Sequence, residues 1–148
     1  MHYLLDTNIL VHLVRNSEKS EEVQLIFNLF DAAQSLYISA VSKGELLSFA
    51  KQSAWGKSKM DKLFNILGVI PSVPVDGSSP LMDAYADIDA YSQGKHPDFQ
   101  TPAGFSSRNM GKNDLWIAAT ALLLDLPLIT TDNDFDHLHP NFIEVHKV

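Results

Sequence analysis

No cysteine occurs in the chain, which excludes disulfides, thiolate zinc sites and a cysteine nucleophile. The absence agrees with a reducing cytoplasm, the location we expect. No apolar stretch is long enough to span a bilayer. The opening Met1-His2-Tyr3-Leu4-Leu5-Asp6 also lacks the basic segment that precedes the apolar run of a secretory signal, so no membrane role is expected. Internal repeats and low-complexity segments are missing. Positive charge is scarce: 11 Lys and Arg stand against 18 Asp and Glu, a formal net charge of −7. A protein that grips nucleic acid by counterion release is usually basic. The charge balance therefore speaks against a polyanionic substrate, unless the acids gather around cations that reverse their local effect.

What remains is an ordinary globular composition. Hydrophobic residues make up 45% of the 148 positions, enough for one domain, 1–148, with a real core. Strand and helix signals alternate along it. Tyr3-Leu4-Leu5 reads as a strand, followed by Ile9, Leu10, Leu13 and Val14 at helical spacing. Ser20 is a candidate cap for a second helix with Val23, Ile26, Phe27 and Phe30 on its apolar face. A strand over 36–39 and a helix over 43–52 come next, then a helix over 57–67. Residues 69–75 look extended, with Pro71 and Pro74 confining them to an edge. A helix over 79–92 precedes a long polar stretch, 93–112, of the kind that is usually functional or mobile. Helix 113–124, strand 128–130, a short turn over 134–138 and a last strand over 142–145 complete the order. This pattern predicts an α/β fold, three layers with a roughly five-stranded parallel sheet. Ligands in such folds bind beyond the carboxyl ends of the strands.

That rule draws attention to four acids. Asp6, Glu45 and Asp132 each follow a strand, and Asp114 opens the helix before the fourth. Singly, each has a plain structural explanation. Asp6 and Asp132 suit turns or caps. Ser42 to Glu45 matches a capping box, and Asp114 after Asn113 suits the positive end of a helix dipole. Together the four need more, because parallel topology brings them to one sheet edge. Two charges about 4 Å apart repel by roughly 4 kcal/mol at an effective dielectric near 20. Protonation or a hard divalent cation relieves this, and oxygen-only ligands suit Mg²⁺ or Mn²⁺. Metal-assisted hydrolysis of a phosphodiester is the chemistry such a cluster supports.

The same residues carry a family resemblance. Leu4-Leu5-Asp6-Thr7-Asn8-Ile9-Leu10 resembles the opening motif of PIN domains. Tyr37 to Leu46, with Ser39 at the strand end and Glu45 six residues on, is similar to their second motif. Asn113-Asp114-Leu115-Trp116 resembles the third, and Thr130-Thr131-Asp132-Asn133-Asp134 the fourth. The motifs occur in the family's order and span nearly the whole chain. The resemblance implies a five-stranded parallel sheet and a Mg²⁺- or Mn²⁺-dependent endoribonuclease. Asp6 and Asp114 would be the central metal ligands, with Asp132 completing the site. Glu45 would bind a second ion or orient the attacking water. Asn8 and Ser39 would support them, and Asp134 is a substitute for Asp132. The segment 93–111 is longer than the resemblance leads us to expect.

Among small single-domain members the resemblance is to VapC toxins of VapBC modules. It implies an RNA substrate, a homodimer, and a small VapB-like antitoxin blocking the site. RNA contacts would then fall to Lys43, Lys51, Arg108 and Lys112, which are otherwise solvated surface charges. Phe99 and Phe105 either stack on unpaired bases or anchor their own loop. Trp116 is expected to pack its helix, and His137 and His139 to be surface residues. Two rivals keep the fold: a free-standing RNA-processing nuclease without antitoxin, and a PIN-like interaction module without catalysis. A haloacid dehalogenase-type phosphatase fits less well, because Asn8 stands where that chemistry needs a second Asp.

Overall fold

The computed structural model describes residues 1–148. Its strands are β1 (His2–Leu5), β2 (Ser35–Ser39), β3 (Ser72–Val73), β4 (Leu128–Thr130) and β5 (Val145–Lys147). Its helices are α1 (Thr7–Arg15), α2 (Glu18–Phe27), α3 (Ala40–Gln52), α4 (Lys57–Val69), α5 (Ser79–Ser92) and α6 (Lys112–Leu124), with a 3-10 turn over Asn133–Leu138. The strands form one sheet in the order β3-β2-β1-β4-β5, and every pairing is parallel.

Alternation along the strands divides the interior. Tyr3, Leu5, Leu36, Ile38 and Ile129 point into a core covered by α1 to α4. Leu4 and Leu128 point the other way, under α5, α6 and the 3-10 turn. Side chains that switch faces at each residue, both faces apolar, require helices on both sides. The three-layer α/β/α fold is thus the one expected. No helix is long and apolar enough to cross a membrane.

Several local expectations are corrected. Ser17, not Ser20, caps α2; the Ser20 hydroxyl instead donates to the Ser17 carbonyl at 2.6 Å. Asn28 then turns into the left-handed region and ends α2, so Phe30 leaves the stripe and both it and Ile26 are exposed. The capping box at Ser42 does not form. Ser39 accepts from the Val41 amide at 3.2 Å and starts α3 earlier. α6 begins at Lys112 behind Gly111, so Asn113 is no cap. The last strand is 145–147, because Val145 to Lys147 pair with Leu128 to Thr130, while Ile143 is buried in the core beneath α6.

The stretch between α5 and α6 contains neither helix nor strand, yet it is tied down. Phe105 rests against Tyr91 and His137, with centroids 5.8 and 6.0 Å away. Phe99 meets the Phe142 ring edge-on at 5.1 Å. Both aromatics anchor their own loop. His137 is half-buried rather than on the surface, within 2.7 Å of the Ser92 hydroxyl. Burial lowers the basicity of its imidazole, and the Arg108 charge lowers it further. Trp116 packs against Tyr85, centroids 4.4 Å apart.

Candidate metal centre

β1 ends at Leu5 because Asp6 turns the chain. Its backbone is extended, and its Oδ1 accepts from the Thr7 amide at 2.8 Å, capping α1. Its Oδ2 accepts from the Thr130 hydroxyl at 2.7 Å. Only 3% of Asp6 is exposed. Burial is the chief reason that its carboxyl is pushed up to about 6; the bonds from Thr130 and Thr7 oppose the rise, and the Asp132 and Glu45 charges add to it.

β4 brings Asp132 alongside. The Thr130 hydroxyl accepts from the Asp132 amide at 2.9 Å, and Asp132 Oδ1 accepts from the Asp134 amide at 2.9 Å as the cap of the 3-10 turn. Asp114 enters from the first turn of α6. Its carboxyl is raised to about 7, first by burial and then by the charges of Asp6, Asp132, Asp134 and Glu45. Glu45 arrives from α3, where its Oε1 accepts from the Thr7 hydroxyl at 2.9 Å.

Asp6, Asn8, Glu45, Asn113, Asp114 and Asp132 line one open cleft of about 760 Å³. Within the acidic group, Asp114, Asp132 and Asp134 each offer an oxygen within 4.8 Å of the other two. Asp134 thus lies beside Asp132 at the same end of the cleft. The donors are all oxygen and mostly charged, the set that suits a hard divalent cation. In a protein without such an ion, the like charges are relieved by protonation, as the raised Asp6 and Asp114 values indicate.

The remaining sequence candidates scatter. Ser39 is fully buried and touches the site only by capping the helix that carries Glu45. Lys112 borders a smaller opening shared with Glu45 and Asp114. Arg108 donates to the Asn133 carbonyl at 3.2 Å, on the turn between Asp132 and Asp134. Lys43 and Lys51 are exposed on α3 and do not line the cleft. Thr7 and Thr130 were not singled out from the sequence, although a polar residue closing the apolar run Leu128-Ile129 was the available signal for the second. Arg15 and His12, which also line the cleft, gave no signal beyond ordinary helix polarity.

The sequence matches the PIN domain family over residues 3–139. No significant match exists among curated proteins. Among solved structures, the chain is similar to a protein of VapBC2 from Rickettsia felis, a complex bound to a DNA fragment from its promoter. The TM-score is 0.70 at 23% identity over 99% of this chain and 98% of that one. A chain of VapBC-1 from Haemophilus influenzae aligns with a TM-score of 0.67 at 24% identity, covering 99% and 98%. A chain of FitAcB from Neisseria gonorrhoeae gives 0.70 at 24%, covering 99% and 97%. At these identities the likeness establishes a shared fold.

Proposed function

The chain belongs to the PIN-domain family of nucleases, and on that basis we propose that it is a Mg²⁺- or Mn²⁺-dependent endoribonuclease of the VapC type. The observation that carries this reading is the convergence of Asp6, Glu45, Asp114 and Asp132, from four separate segments, on one cleft. A divalent cation there supplies Lewis-acid stabilisation to a phosphodiester under attack by water. Asp6, Asp114 and Asp132 are the residues that would hold it, with Asp134 beside them. Asp6 and Asp114 must shed their protons to do so.

Glu45 is held by Thr7 and remains free to accept through its second oxygen. In this reading it orients the water and takes its proton as the new oxygen–phosphorus bond forms. The phosphorus–oxygen bond to the leaving nucleoside breaks, and that oxygen is protonated from solvent. Asn8, at the cleft edge, is placed to contact the strand. Lys112 and Arg108 flank the acids and would offset phosphate charge.

A small antitoxin and a homodimer are the partners this reading expects. Exposed apolar side chains support a protein partner: Leu25 is 87% exposed, and Ile26, Phe30, Phe64 and Val69 are all more than half exposed. They belong to α2, its C-terminal end and α4, which both pack on α1. Neighbours of the same fold come from complexes described as toxin–antitoxin systems, and this is what favours the toxin over a free-standing nuclease.

The test is cleavage of structured and unstructured RNA with Mg²⁺, Mn²⁺ or EDTA. We expect cleavage with metal, none in EDTA, and a loss of at least about a hundredfold in Asp6→Asn and Asp114→Asn, the scale of removing a key electrostatic contributor to a transition state. Equal activity in wild type and both variants would refute the assignment.

A further inference from the structure

The cleft does not end at the carboxylates. α1 and α3 both start at the acidic edge of the sheet and pack side by side. Residues three or four apart on each helix therefore line a groove leading away from the acids. On α1 these are Val11, His12 and Arg15; on α3 they are Ser48, Phe49 and Gln52. Arg15 closes α1 and lies roughly 13 Å beyond Asp6 at the helical rise per residue.

The far end of this groove differs in character from the near end. Arg15 is the sole lysine or arginine among the residues that line the cleft. Its guanidinium makes no ion pair within the chain. It lies instead over the Phe49 ring, 5.0 Å from the centroid. Phe49 is itself steadied by an edge contact with Trp55 at 5.7 Å. Burial lowers the basicity of His12, as do the Lys19 and Arg15 charges, and its Nδ1 sits 2.9 Å from the Ser17 hydroxyl.

A guanidinium resting on an aromatic ring, with its donors unspent, is suited to two tasks at once. Its edge matches a phosphate bidentately. Its plane can take a splayed base, the usual way single-stranded RNA is held. In a chain of net charge −7, a fixed cation at the end of the cleft is where a polyanion leaving the acidic site would be caught. A basic protein arm reaching for the acids along the same groove would meet like charge at Arg15, so the groove fits RNA better than such an arm. We propose that Arg15, stacked on Phe49, is a strand-anchoring subsite for single-stranded RNA, a few nucleotides from the bond that is cut. The subsite rests on the nuclease reading above.

The test titrates a fluorescein-labelled RNA trimer and dodecamer of mixed sequence, in Ca²⁺, with wild type, Arg15→Ala, Arg15→Lys and Phe49→Leu, and reads anisotropy. Arg15→Ala should weaken dodecamer binding about tenfold, the worth of a charge-assisted contact, and lower the salt slope by about one, while the trimer is little affected. Arg15→Lys should keep the salt slope but recover only part of the affinity, because an ammonium does not stack. Phe49→Leu should behave like Arg15→Lys, losing affinity at constant salt slope, because it removes the stacking surface and keeps the charge. Equal dodecamer affinity of wild type and Arg15→Ala overturns the subsite, and metal-dependent cleavage abolished by Asp6→Asn would then still stand. Length-dependent binding through Arg15 by a protein that cleaves no RNA supports the subsite and removes only the hydrolytic step. A wild type that binds neither RNA, but loses a copurifying protein in Arg15→Ala, assigns the groove to that protein and overturns the proposal.

Discussion

Thr130 links two acids whose positions in the chain are far apart. Its hydroxyl donates to Asp6, 124 residues away, and accepts from the Asp132 amide. One buried oxygen thereby fixes the distance between two of the proposed ligands and holds down the proton affinity of Asp6, which burial otherwise raises. Thr130→Val keeps the shape and removes both bonds, leaving the Asp132 amide and one Asp6 oxygen without this partner. Urea unfolding should show a loss of about 1–3 kcal/mol, the cost of orphaning buried polar groups. Titration with Mn²⁺ at neutral pH should show weaker binding, since Asp6 holds its proton more tightly. Unaltered stability together with unaltered Mn²⁺ affinity would mean that the hydroxyl only fills space. The Thr7 hydroxyl donates to Glu45 and holds one of its oxygens in place. The bonding partners of neither threonine were legible in advance, because a hydroxyl declares no partner until the sheet has placed one.

The start of α3 decides where Glu45 points, and two serines compete for that role in the sequence. Ser39 holds it: its hydroxyl caps the helix, while the Ser42 hydroxyl is buried with no hydrogen-bond partner. Ser39→Ala should therefore lower stability by about 1 kcal/mol, as cap removal does, and Ser42→Ala should be neutral or slightly stabilising because it removes an unsatisfied buried group. Thermal unfolding of the pair separates the two assignments, and the reverse order of effects would restore the capping box. The capping error shows which elements could be read in advance. The sheet was legible because short apolar runs alternate with helical periodicity, and because parallel order sends each strand end to the same edge; Asp6 and Asp132 followed directly. Helix starts were not, since Ser39 and Ser42 look alike until β2 fixes the direction in which the chain leaves the sheet. The last strand was misplaced for a similar reason: Phe142 and Ile143 have strand-like side chains, but their burial against α5 and α6 outweighs pairing. Asp134 entered as a substitute for Asp132 because the motif has one acid there, and the 3-10 turn brings the two side by side.

Across the whole molecule, the acidic centre opposes folding once its carboxyls have lost their protons. Burial pushes the carboxyls of Asp6 and Asp114 up to about 6 and about 7 in the folded protein, above the usual carboxylate range. Between the usual carboxylate range and those values the folded state binds more protons than the unfolded one, so stability falls as pH rises, and the decline ends only once both groups have ionised. The favourable contribution of these two groups is thus complete only below the usual carboxylate range, partly retained at pH 5 and lost by pH 8. A divalent cation needs both carboxylates ionised, so it competes with the protons and stabilises by mass action. Its effect must be larger where the protons have already gone. Melting the EDTA-treated protein at pH 5 and pH 8, with and without Mn²⁺, should give a Mn²⁺-induced rise in Tm that is greater at pH 8. The Asp6→Asn, Asp114→Asn double variant mimics the protonated pair, so it should show less loss of Tm from pH 5 to pH 8 than the wild type and almost no response to Mn²⁺. A Mn²⁺ effect of equal size at both pH values, or one that survives in the double variant, would locate the cation away from Asp6 and Asp114.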